Sequence, residues 1–182
     1  MEFKNSFLNK QKFNFKNSTY YMHFFAYSAI VFLVPFFMGH PQLLVGSVVN
    51  AALFLAAFNM KFRETLPVIL LPSIAVLTKG LIFGPYTIFL IIMMPFIWLG
   101  NSIIVYLFKY LHMEKNVNSI YSGIIASVSK VAFLFLSALV LYKASLIPII
   151  FLTTMGLFQL YTALIGLTAA LAINKGIEKV KD

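Results

Sequence analysis

The chain has no cysteine and few carboxylates, five Asp and Glu against fourteen Lys and Arg in 182 residues. The missing cysteines exclude disulfides, thiolate nucleophiles and cysteine-ligated metals. They leave the compartment open, because a membrane-embedded chain needs no disulfide. Charge of either sign is scarce at 10% of residues, where a soluble domain carries about a quarter. None of the five carboxylates (Glu2, Glu64, Glu114, Glu178, Asp182) lies in a long apolar stretch. The spans therefore hold no acidic side chain to relay protons or coordinate sodium, which argues against an autonomous ion-driven transporter. No GxxxxGK[ST] phosphate loop is present, so any ATP hydrolysis must come from other chains. The three histidines, His23, His40 and His112, are dispersed without metal-ligand spacing, and neither a metal nor a cofactor is expected. Ser127 and Ser129 share one helix with Lys130, which is no catalytic dyad, and the chain is not expected to be an enzyme.

What the sequence does hold is apolar length. Hydrophobic residues make up 61%, mean hydropathy is +0.92, and there are 20 Phe and 9 Tyr, a composition suited to lipid-facing surfaces and interfacial anchors. The net charge of +9 would point to nucleic acid in a soluble protein. Here the basic residues fall between and beyond the apolar stretches, where they set topology and meet anionic membrane lipid; no nucleic-acid partner is expected.

A helix needs about 20 residues to cross the hydrocarbon. Polar and Gly/Pro punctuation divides the chain into six such spans, near residues 20–38, 42–59, 65–83, 86–110, 119–142 and 146–173. The expected fold is an all-α integral membrane protein, a compact bundle of six transmembrane helices. A basic tail (1–18) precedes the transmembrane domain (19–174), and a second tail (175–182) follows it. The first apolar segment is too long for a signal-peptide core and lacks a small-residue cleavage site, so it reads as an uncleaved span. With the N-terminus inside, eleven Lys and Arg lie on the inner side and only Lys143 on the outer. That bias predicts a multi-pass protein of the cell (plasma) membrane with both termini cytoplasmic.

Two lysines lie inside spans. Lys79 is about 7 Å from the outer end of the third span at 1.5 Å per residue, within snorkelling reach of the surface. Lys130 stands near the middle of the fifth, with roughly a dozen residues on either side, and reaches neither surface easily. An unpaired charge there costs about 2.5–3.5 kcal/mol on insertion scales. Two readings follow for Lys130: an anchor for an anionic ligand or partner, or a neutral amine hydrogen-bonded to a neighbouring helix. Asn50, Asn101 and Gln159 are the intramembrane amides, either interhelical glue or ligand contacts. Ser127, Ser129, Thr153 and Thr154 join them as cavity candidates. Trp98 and Tyr86 offer ring faces for stacking or plain packing. His40, in the Gly39-His40-Pro41-Gln42 corner, is either a lid over an outward pocket or a solvated turn. The candidate substrate site is thus Lys130, Lys79, Asn50, Asn101, Gln159, Trp98 and His40. Gly80-xxx-Gly84, Ala52-xxx-Ala56 and Gly166-xxx-Ala170 mark places of close helix approach.

About 180 residues, six spans, cytoplasmic termini, a short basic tail and no ATPase motif together resemble the substrate-binding components of energy-coupling factor transporters. The resemblance is architectural and covers nearly the whole chain. The Ala-xxx-Ala typical of that family's first helix falls here in the second span, at Ala52 and Ala56, while the first span offers Ala26, Ser28 and Ala29. The resemblance implies a vitamin or related small micronutrient captured near the outer face. It also implies two kinds of partner on other chains, a transmembrane coupling subunit and ATPase subunits. A second reading is a structural or accessory subunit of a larger complex, whose acidic residues pair with the buried lysines.

Overall fold

The computed structural model describes residues 7–13, 15–38, 41–83 and 87–181, and every regular element among them is helical. The elements are α1 (Asn17–Phe37), α2 (Gln42–Asn59), α3 (Leu66–Phe83), α4 (Thr87–Phe108), α5 (Ser119–Lys143), a short α6 (Ile150–Thr153) and α7 (Gln159–Lys181). π-Helical turns extend α4 over Lys109–Glu114 and join α6 to α7 over Thr154–Phe158. Among the described residues five helical runs are long and apolar enough to cross a membrane: Asn17–Phe37, Gln42–Asn59, Ile88–Glu114, Ser119–Lys143 and Ile150–Lys179. This is the architecture of a multi-pass membrane protein. The remaining long helix, α3, has 18 residues, and the side chains of its last turn lie outside the described part.

The sequence ends these helices in recognisable ways. Asn118 caps α5, its Oδ1 accepting from the Ile120 N–H at 2.8 Å. At the other end of α5, Leu146 N donates to Leu141 O and Ser145 N to Tyr142 O, both at 2.9 Å. That is a Schellman closure with Ser145 in the left-handed region at φ 57°, where glycine is usual. Pro41 precedes α2 and Pro67 is the second residue of α3, places where a missing N–H is harmless. Pro35, Pro72 and Pro95 lie inside α1, α3 and α4, and each removes one helical hydrogen bond.

α2 forms the centre. Its apolar residues occur on all sides, the pattern of an enclosed helix, and 13 of its 18 residues are buried against 3 of 21 for α1. It packs on α1, α3, α4 and α7. The approach to α7 is close because of glycine. A Cβ on Gly166 would stand 2.7 Å from the Ala51 backbone nitrogen and 2.8 Å from Ser47 O, and one on Gly46 would stand 2.7 Å from Thr162 Cγ2. The Gly166-xxx-Ala170 stripe thus serves packing between the chain's own helices. Both terminal segments meet at one end of the bundle, where Lys12 pairs with Glu178 at 2.6 Å. The segment from residue 175 onward is helical, the end of α7, which runs to Lys181 because Gly176 alone does not break it, and Glu178 has a partner in Lys12.

Candidate functional site

Lys130 lies in the middle third of α5 and is 2% exposed. Its Nζ donates to Asn50 Oδ1 of α2 at 2.6 Å, a short N–H···O hydrogen bond. Asn50 Nδ2 in turn donates to Thr162 Oγ1 of α7 at 3.1 Å and to Gly46 O at 2.9 Å. The Thr162 hydroxyl donates to Gln159 O at 3.1 Å. The result is a donor chain running one way, from the amine through an amide and a hydroxyl to a backbone carbonyl. Such chains polarise each member in the same sense. They also tie three helices together where Gly46 and Gly166 bring α2 against α7.

The cluster has more donors than acceptors. Asn50 uses both amide hydrogens and one oxygen site, so it is close to satisfied. An ammonium offers three hydrogens, and Asn50 Oδ1 is the one hydrogen-bond partner of Lys130 among the described residues. One turn earlier on α5, the fully buried Ser127 Oγ has no partner among the described residues. Neither of the two ion pairs among the described residues touches this region, so Lys130 meets no carboxylate there.

Of the residues expected at the site, Lys130 and Asn50 come together directly, and Gln159 joins through its backbone carbonyl. Thr162 was not anticipated. Its signal was the α7 stripe of Gln159, Thr162, Ala163, Gly166, Leu167 and Ala170, which extends the small-residue pair back by one turn. Asn101 and Trp98 of α4 face α3 instead: Asn101 Nδ2 donates to Ile69 O at 3.0 Å and Trp98 Nε1 to Ser73 Oγ at 2.6 Å. Both bonds brace the turn of α3 interrupted by Pro72. Lys79 is half-buried and donates to Phe37 O, the last carbonyl of α1, at 3.3 Å. A cation suits that helix end. His40, Tyr86 and Gly84 lie outside the described residues.

A groove of about 360 Å³ opens on the bundle surface between Phe62, Leu99, Tyr106, Leu107 and Phe133. Its lining is apolar and contains none of the polar cluster, as expected of a surface meeting acyl chains. The chain matches no known family, no curated protein and no solved structure, so what the Lys130 cluster does is read from its own chemistry.

Proposed function

We propose that this chain is a solute-capturing membrane subunit that takes a small anionic micronutrient onto Lys130. In this reading it is the substrate-binding part of an ATP-driven importer of the energy-coupling factor type. In it the transmembrane coupling subunit and the ATPases are other chains, and the eleven-to-one charge bias supports cytoplasmic termini. One observation carries the reading: a buried lysine amine with a single neutral acceptor, next to a buried hydroxyl without a partner among the described residues. A carboxylate or phosphate supplies the acceptors this cluster lacks, and its charge offsets the desolvation of Lys130. Admission of the ligand requires α5 to part from α2 and α7, with Asn50 Oδ1 giving way to the ligand oxygen.

The second reading, an accessory subunit of a larger complex, draws on the enclosure of the cluster and the near-complete satisfaction of Asn50. Mass spectrometry of small molecules retained on the purified protein separates the two. The expected result is an anionic metabolite, with binding weakened at least tenfold in Lys130→Ala, about 1.4 kcal/mol, and unchanged in Lys79→Ala. Undiminished binding in Lys130→Ala removes the anchor. Recovery of an acidic membrane partner with no small molecule establishes the accessory role.

A further inference from the structure

We propose that residues 7–13 are a releasable strap across the end of the bundle that carries both termini, and that Lys109 passes between two acceptors as the strap seats and leaves. The strap touches three helical runs. Phe7 stands edge-on to Tyr106 and Tyr110, with ring centres 5.3 and 5.4 Å away. Lys10 Nζ pairs with Glu114 at 2.7 Å. The Lys12 N–H donates to Phe58 O at 2.7 Å, satisfying a carbonyl at the end of α2. Lys12 Nζ pairs with Glu178 of α7 at 2.6 Å and lies 5.2 Å from the centre of the Phe58 ring. Both ion pairs found among the described residues join this one segment to the bundle.

The fastening is of a kind that comes undone. The side chains of the two pairs are 49% and 39%, and 28% and 41%, exposed, so each is weak and screened by salt. Gln11 Nε2 of the strap is itself buried without a hydrogen-bond partner among the described residues. Seating leaves this atom unsatisfied, and release hydrates it.

Lys109 registers the change. It is fully buried, and its Nζ donates to Lys10 O, a backbone carbonyl of the strap, at 2.6 Å. When the strap leaves, that acceptor leaves with it. Glu64 lies on the 3-10 turn Phe62–Thr65, which packs against the strap, and its buried Oε2 has no hydrogen-bond partner among the described residues. With the strap on, Lys109 holds the strap carbonyl; with the strap off, it turns to Glu64. The strap joins α2 and α7 to the extension of α4 at this end of the bundle, while the close packing of α2 on α7 at Gly46 and Gly166 is independent of it. The device stands whether or not Lys130 binds a solute.

Hydrogen exchange on the full chain in detergent tests the strap. In Lys10→Glu/Lys12→Glu, residues 7–13 are expected to exchange about tenfold faster, the loss of two weak ion pairs, while the helix interiors keep their rates. The charge exchange Lys12→Glu/Glu178→Lys is expected to exchange more slowly over 7–13 than Lys12→Glu alone. Unchanged exchange in the double reversal overturns the strap. So does acceleration spread evenly over all helices, or a charge exchange no slower than the single variant. For the handover, Glu64→Gln is expected to lower the melting temperature by about 2–4 °C in the double-reversal background and much less in the native chain. Equal shifts in the two backgrounds overturn it.

Discussion

Two buried lysines anchor opposite kinds of structure in this bundle. Lys130 takes its oxygen from a side chain, Asn50 of the central helix. Lys109 takes its oxygen from the backbone of a segment laid across the bundle end. A side-chain acceptor can be deleted by mutation, and this one sits on the enclosed central helix. A backbone acceptor on a strap survives mutation but can leave. Burial of the amine is almost equal, 2% and 0% exposed, so burial alone says little about what a lysine is for. The origin of its acceptor says more.

The comparison is broken most forcefully at Asn50. Asn50→Leu strands an ammonium in the interior, and removing one partner of a buried charge costs about 3–5 kcal/mol. Chemical unfolding in detergent should register a loss of that order, and Lys130→Met/Asn50→Leu should recover much of it. If the single variant is as stable as the native protein, the amine is neutral and the cluster is only glue. Lys109→Met is expected to cost less, about 1–3 kcal/mol, the penalty of leaving the Lys10 carbonyl unpaired. That loss should shrink if the strap can lift away and hydrate its carbonyl. The smallest effect belongs to Glu178→Gln, below about 1 kcal/mol. It should vanish in 0.5 M salt, whereas the Asn50 effect should persist because a buried pair is poorly screened.

Much of the bundle was legible in the sequence. Apolar length and Gly/Pro punctuation placed α2, α3 and α5 within a residue or so at each end, and the absence of acid in the spans singled out Lys130. The amides divided by something sequence does not carry. Asn50 and Asn101 are both single polar residues in apolar helices, yet one faces Lys130 and the other braces a proline-broken turn of α3. Where helices are apolar all round, periodicity does not say which face meets which neighbour. Lys109 shows the same limit. It stands at the end of the fourth apolar span, where position along the chain does not say whether it is buried, and the π-helical extension carries it inside under the strap. Nothing local in the basic tail announces Glu114 and Glu178 as distant partners.

The central position of α2 sets an order of events during synthesis. α2 emerges well before α7, which carries the glycine-notched surface it fits. Until α7 is made, Asn50 has no Thr162 to donate to, and until α5 is made it has no lysine to receive. A nascent chain halted before α7 therefore holds an unmatched amide, and after α5 a lysine in an open seam, states that membrane quality control is built to remove. Closure of this seam waits for α7, so truncations that remove α7 should be lost from the cell.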